Sequence, residues 1–242
     1  MRRLVRAAKR RLRFALEYRR FAKMAGGNVR WQDRMPCLKD REAGSDFDRH
    51  YVYHPAWATR VVQTTAPARH LDCSSLLQFS AMLSAYVPVD LCVFSPLRLE
   101  LPNMRLIAGD LTALPFPSNS VRSLSCMHVV EHIGLGRYGD ALDAAGDRKA
   151  MKELQRVLAP GGNLLFVVPI GKPRVVFNAH RVYAAEQIIE AFRVLELKEF
   201  SLIPESAADG SIVKSPDAKL LAKQSYGCGC FWFQKPAGER AH

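Results

Sequence analysis

The feature that most limits what this chain can fold into is an alternation of two periodicities between residues 69 and 170. Apolar, β-branched runs stand at 69–74 (RHLDCS), 89–94 (VDLCVF), 104–110 (MRLIAGD), 121–127 (VRSLSCM) and 163–169 (NLLFVVP). Helical patterns are interleaved with them, LLQFSAMLSAY at 76–86 and the amphipathic DRKAMKELQRVL at 147–158. Strand, helix, strand with short links predicts an α/β fold, doubly wound, with a mostly parallel sheet covered on both faces. AAEQIIEAF adds a helix, and RVLELKEFSLI and CFWFQK add two closing strands, for a sheet of seven. Ahead of the first strand, HPAWATRVVQTT reads as a helix that Pro67 ends.

Charge sets the ends of the chain apart from this core. Residues 1–24 hold ten Lys or Arg against the single acid Glu17, which is +9 of the total +12. Helix formers run without Gly or Pro up to Gly26 and Gly27, and Leu4, Ala8, Leu12, Ala15 and Leu16 recur at helical spacing. Residues 1–27 are therefore a basic amphipathic helix, with two readings open. One is peripheral contact with an anionic membrane through residues 2–23; the other is a solvated arm or one that docks on a partner. Residues 28–49 read as a connecting segment, 50–235 as the domain and 236–242 as a tail. With only +3 left on the remaining residues, a nucleic-acid groove across the domain is not expected. No secretory pattern or membrane-long apolar run is present, and the six cysteines form no C-x-x-C pair. A cytoplasmic protein with reduced, buried thiols is expected, peripheral on the inner membrane face if the helix binds lipid.

In a parallel sheet with right-handed crossovers, ligands bind at the carboxyl ends of the strands. Those ends carry Asp72, Cys73, Ser74 and Ser75, then Ser95 and Pro96, then Asp110 and Leu111, then Met127, His128 and Glu131. Asn178 and His180 follow the fifth strand at a short distance. An acid at one strand end is often only a helix cap. Four such ends converging on one edge point to a site.

HVVEH, residues 128–132, also fits the H-x-x-E-H pattern of inverted zinc proteases. That chemistry needs both histidines on one face of a continuing helix. Here a strand runs up to Met127, and Gly134 and Gly136 stop a helix almost at once, so HVVEH reads as the loop after the fourth strand and no metal site is expected.

The order of elements, together with GDLTALPFPSNSVRSLSCMHVVEHI and MKELQRVLAPGGNLLFVVP, resembles the class I S-adenosylmethionine-dependent methyltransferases over residues 50–235. More narrowly, EHIGLGRYGD, FNAHRVYAAEQI and YGCGCFWF resemble an uncharacterised bacterial methyltransferase-like family associated with surface-polysaccharide genes. The resemblance implies S-adenosylmethionine as cofactor and a Rossmann-like methyltransferase fold. It places Asp72 and Ser74 at the methionine part of the cofactor, Ser95 at the ribose, Asp110 and Leu111 at adenine, and Met127 and His128 beside the transferred methyl. The implied acceptor is a sugar, a lipid-linked glycan or another small molecule.

Two departures stand out. The first-strand loop reads LDCSSL, with Ser74 where the family has Gly, and the second strand ends in Ser95 where a carboxylate takes the ribose hydroxyls. A lost charge-assisted contact costs about 1.5–3 kcal/mol. A non-catalytic binding or scaffold protein with a degenerate cofactor site therefore stands as the alternative. For catalysis, His128 and His132 are the candidate bases, His128 favoured because it lies nearest the strand end, with Glu131 to orient one of them; Glu131 reads equally as a loop cap. Arg137, Tyr138, Asn178, His180 and Arg181 are the candidate acceptor contacts, and residues 204–225 read as either a lid or a plain surface loop.

Overall fold

The computed structural model describes residues 2–38, 47–95 and 97–237, with side chains from Val5 onward. Residues 39–46 of the connecting segment, Pro96 and residues 238–242 of the tail lie outside them, as do the side chains of Arg2, Arg3 and Leu4. The chain divides into two compact units, Met1–Phe47 and Asp48–His242.

In the first unit, α1 (Arg2–Met24) ends where Gly26 and Gly27 turn to positive φ. The chain then folds back along the helix: Tyr18 Oη donates to the Val29 carbonyl at 2.8 Å, and the Trp31 ring lies edge-on to Tyr18 at 4.7 Å. Leu12 and Leu16 stay exposed.

The second unit begins with α2 (Arg49–Thr65), capped by Asp48, whose carboxylate accepts from Tyr51 N–H at 3.2 Å. It stops two residues before Pro67, because a residue preceding proline is driven out of the helical region, and Ala66 turns left-handed at φ 41°. There follow β1 (His70–Asp72), α3 (Leu77–Leu83), β2 (Val89–Val93), β3 (Met104–Ala108), β4 (Val121–Met127), α4 (Gly146–Val157) and β5 (Leu158–Ile170). A hairpin of β6 (Arg174–Val176) and β7 (His180–Val182) precedes α5 (Ala185–Ala191), β8 (Glu196–Ile203), β9 (Val213–Lys214), α6 (Ala218–Ala222) and β10 (Gly227–Gln234).

The main sheet has the order β3-β2-β1-β4-β5-β10-β8-β9, with neighbours parallel from β3 to β5. β10 runs antiparallel between β5 and β8. The sheet thus has eight strands where seven are expected. The extra one, β9, comes from the 204–225 linker, where Ser201 and Leu202 of β8 pair with Lys214 and Val213. That linker is not a plain surface loop: besides β9 it holds a helical turn, Ala207–Asp209, and α6.

Side chains alternate across the sheet with the strand period of two. Leu124, Cys126, Leu164, Phe166, Val168, Phe231 and Phe233 point to the layer of α4 and α5. Met127, Leu165, Val167, Cys228 and Cys230 point to the layer of α2 and α3, with Trp57, Val62, Phe79 and Leu83. Each large apolar side chain buried this way contributes about 1.5–3 kcal/mol. All six cysteines are free thiols, Cys37 exposed and the rest buried. Because β10 is antiparallel to β5, its first residues share an edge with the carboxyl ends of β1 to β5. That edge carries the site.

Candidate active site

Asp72, the last residue of β1, faces inward. Its carboxylate accepts from Ser74 N–H at 3.0 Å, from Ser125 Oγ at 2.6 Å and from Ser80 Oγ. Ser125 Oγ also meets His70 Nε2 at 2.8 Å, and His70 Nδ1 meets Ser123 Oγ at 2.7 Å. Burial raises Asp72 above the usual carboxylate range although these hydroxyls pull the other way, and burial pushes His70 down to about 3. Asp72 therefore ties β1 to α3 and β4.

The loop after β1 continues the ladder instead of curling around a ligand. Cys73 N–H donates to the Ser125 carbonyl at 2.8 Å and Ser75 N–H to the Met127 carbonyl at 3.1 Å. Ser74 Oγ closes the same seam by accepting from Met127 N–H at 3.2 Å. Ser74 is not among the residues at positive φ, so this backbone needs no glycine.

A cavity of about 480 Å³ opens over the carboxyl ends of β1 to β4. This is within the roughly 300–1,000 Å³ typical of small-ligand sites. Ser74, Ser95, Asp110, Leu111, His132 and Tyr138 line it, together with Cys73, Phe94, Thr112, Ile133 and Asp140. Asp110 Oδ1 closes its own turn by accepting from Thr112 N–H at 2.7 Å and Thr112 Oγ1 at 2.8 Å; among the described residues none donates to Oδ2. The residues fit an adenosine-bearing ligand at the Asp110–Leu111 end, where an exposed carboxylate oxygen is free to accept from an amine. At the β2 end the exposed Ser95 offers a single hydroxyl.

The far wall is the turn after β4. HVVEH is a strand end followed by a single helical turn, Val130–His132, and not a continuing helix. His132 Nδ1 lies 2.6 Å from the Ala179 carbonyl, an acceptor, and 3.2 Å from Arg137 Nη1, a donor; with its proton on the shorter contact, Nε2 is bare in the neutral ring. Arg137 Nη1 bonds the same carbonyl at 3.1 Å, and its guanidinium lies 5.0 Å from the Tyr138 ring centre. Asp140 holds the loop, accepting from Gly134 N–H at 2.7 Å and Tyr138 N–H at 3.2 Å. Burial opposes ionisation of Asp140, but the backbone donors outweigh it and hold the carboxyl below its ordinary value.

His128 lies behind this wall. Its backbone is left-handed at φ 54°, a strained conformation for a residue with a side chain, and its N–H is held by the Val167 carbonyl at 2.9 Å. Nδ1 lies 2.9 Å from Glu131 Oε1 and Nε2 3.5 Å from Cys228 Sγ. Glu131 Oε1 is 3.9 Å from His132 Nε2, so this buried carboxylate stands between the two histidines. The rings of His50, Tyr51 and His54 surround His128 at 5.1–5.5 Å. Burial, with help from His128, lowers His50 to about 4 and His54 to about 3.

The residues singled out in the sequence thus do not all gather at the cavity. Ser74, Ser95, Asp110, Leu111, His132 and Tyr138 line the cavity, and Arg137 is exposed beside Tyr138. Asp72 and Met127 are buried beneath it, and His128 and Glu131 form an inner cluster. Arg181 is buried, donating to the Ile133 carbonyl at 2.6 Å with Asp147 at 3.5 Å, and so braces the loop. Asn178, at the tip of the hairpin, donates to the Leu135 carbonyl at 3.3 Å, and the His180 ring packs on Tyr226 at 4.9 Å. His50, His54, Tyr51, Cys228 and Asp140 were not singled out. The periodicity of α2 and β10 marks four of them as ordinary core or surface positions; only the tertiary contacts mark them otherwise.

A family model described as "Caenorhabditis protein of unknown function, DUF268" matches residues 118–203, from the turn before β4 to the end of β8. Comparison with curated proteins gives no match. Among solved structures, the N-methyltransferase NodS of Bradyrhizobium japonicum WM9 in complex with S-adenosylhomocysteine is similar at 16% identity and a TM-score of 0.53, over 83% of this chain and 92% of that one. The [4+2]-cyclase SpnF is similar at 16% identity and 0.54, over 76% and 81%. The 1,6-didemethyltoxoflavin-N1-methyltransferase of Burkholderia thailandensis is similar at 11% identity and 0.51, over 76% and 79%. At such identities the likeness is one of architecture, and the chain has the Rossmann-like fold that methyltransferases share.

Proposed function

We propose that the chain is an S-adenosylmethionine-dependent methyltransferase acting on an oxygen of a sugar or lipid-linked glycan. The observation that carries this reading is the cavity itself. It lies over the carboxyl ends of β1 to β4, with Asp110 and Leu111 on one wall and a histidine with a bare Nε2, His132, on the other. Asp110 would accept from the exocyclic amine of adenine, Ser95 would donate to or accept from a ribose hydroxyl, and Cys73 and Ser74 would border the methionine part. When bound, the cofactor supplies a methyl group already activated on a sulfonium. The protein then has to align an acceptor hydroxyl with it and take up one proton. His132 Nε2 would take that proton as the acceptor oxygen gains the methyl, and the Glu131 carboxylate at 3.9 Å would stabilise the imidazolium that results. Tyr138, which lines the cavity, and the exposed Arg137 beside it would contact the acceptor. The glycan rests on the family resemblance of EHIGLGRYGD, FNAHRVYAAEQI and YGCGCFWF, and peripheral membrane contact rests on the +9 of residues 1–24.

A second reading, a binding protein with a degenerate site, is favoured by one observation: the loop after β1 is hydrogen-bonded to β4 as far as Ser75. The fold does not choose between them, since a similar structure is named a cyclase. Calorimetric titration of the full chain with S-adenosylmethionine and S-adenosylhomocysteine decides. Micromolar binding that Asp110→Ala weakens about tenfold or more is expected. No heat at millimolar ligand would overturn the enzyme in favour of the binding protein.

A further inference from the structure

We propose that His50, His128 and Cys228 bind a zinc ion next to the cavity. They come from the first turn of α2, the end of β4 and the start of β10, and one ligand atom from each lies within 4.8 Å of the other two. Zinc in a tetrahedral site sits about 2.0–2.1 Å from nitrogen and 2.3 Å from sulfur, which puts those two ligands about 3.5 Å apart. His128 Nε2 and Cys228 Sγ are 3.5 Å apart already. Only the His50 ring has to close in, by about an ångström on the same geometry.

The surroundings are those of a ligand set. His128 is oriented by Glu131 Oε1 at 2.9 Å, the carboxylate–histidine arrangement that fixes which ring nitrogen faces a metal. With Nδ1–H donated to the carboxylate, the Nε2 lone pair is turned to Cys228. His50 lies between two rings, His128 nearly parallel to it at 5.5 Å and Tyr226 at 5.5 Å. Its place is set further by Arg49, which reaches the carbonyls of Pro204 and Gly210 across the 204–225 linker. The strained φ of 54° at His128 keeps its ring in this cluster.

A second, independent observation points to a missing group. His54 Nε2 is buried with no partner among the described residues, and the His54 ring meets the His128 ring edge-on at 5.1 Å. Buried polar atoms are nearly always satisfied, and a metal with its bound water is a group that satisfies such atoms. Two imidazoles and a thiol select a borderline-soft ion over magnesium or calcium, which take oxygen. Three protein ligands leave the fourth position open, as in catalytic rather than structural zinc sites. The site is separate from HVVEH read as a protease motif: of that motif only His128 is a ligand, while His132 faces the cavity. It also stands without the methyltransferase reading, because the ion is bound by this chain's residues alone.

The test uses the full chain, freed of metal with a chelator and titrated with zinc and with cobalt(II), no cofactor present. One zinc per chain is expected, competing with a micromolar chromophoric chelator. Cobalt should give tetrahedral visible bands and a near-ultraviolet thiolate charge-transfer band. Cys228→Ser should abolish that band, while Cys37→Ser, at an exposed thiol, should leave it. Should Cys228→Ser fail to fold, His50→Asn on the half-buried first turn of α2 serves instead. It should weaken zinc at least tenfold with the melting temperature unchanged, and Glu131→Gln should weaken it about 10–100-fold. Less than stoichiometric zinc, or a charge-transfer band that survives Cys228→Ser, would overturn the proposal.

Discussion

At the scale of single residues, the buried polar side chains divide by what they are bonded to. Asp72 and His70 belong to a closed network with Ser74, Ser80, Ser123 and Ser125, and such networks hold elements together. His70 gives this a pH signature. In the unfolded chain it takes a proton below about 6.5, whereas burial keeps the folded form neutral down to about 3. The unfolded state then binds more protons throughout that window, so stability is full above pH 6.5 and falls as pH drops toward 3. One such group contributes about 1.4 kcal/mol per pH unit. Urea unfolding between pH 7.5 and 4.5 should show the decline, and His70→Gln should remove one proton's share of the slope. An unchanged slope in that variant would assign the decline elsewhere. The sequence marked Asp72 as a ligand contact because it ends a strand; which way its carboxylate turns depends on Ser80 and Ser125, and strand periodicity carries nothing about that.

At the scale of elements, the loop 133–143 builds one wall of the cavity around Asp140 and two glycines. Gly134 sits at φ 78°, and a Cβ there would come within 2.0 Å of the Asp143 carbonyl oxygen. Gly134→Ala therefore has to break the loop open. About 1–3 kcal/mol of stability should be lost, and binding of S-adenosylhomocysteine should fall with it, read by melting temperature and titration on the same sample. Retained binding at an unchanged melting temperature would mean the loop is not part of the ligand site. β4 was legible to the residue in the sequence, because VRSLSCM is bounded by Asn119 and Ser120 before it and the HVVEH turn after it. The β6–β7 hairpin and β9 were not. Strands of two or three residues carry too little periodicity to be told from loop, and they exist because hydrogen bonds from distant chain complete them.

At the scale of the whole molecule, charge and fold belong to different units. No helix of the described residues is long and apolar enough to cross a membrane. The basic helix leads instead to a binding prediction: the full chain should sediment with vesicles containing phosphatidylserine, each nearby Lys or Arg adding about 1 kcal/mol. Roughly 0.5 M salt should release it, since screening shortens the reach of surface charge. Residues 48–242 alone should stay in solution while keeping ligand binding. Sedimentation of that shorter chain would place the lipid contact on the other unit. By itself the sequence determined the alternation of strands and helices, the edge of the sheet over which the cavity opens and the segregation of charge, because these depend on near neighbours and on order along the chain. The tertiary structure alone decided that Asp72 turns inward, that His132 rather than His128 faces the cavity, and that His50 and Cys228 meet at His128. Those contacts join residues up to 178 positions apart in the chain, brought together by sheet register and helix docking, which local pattern does not encode.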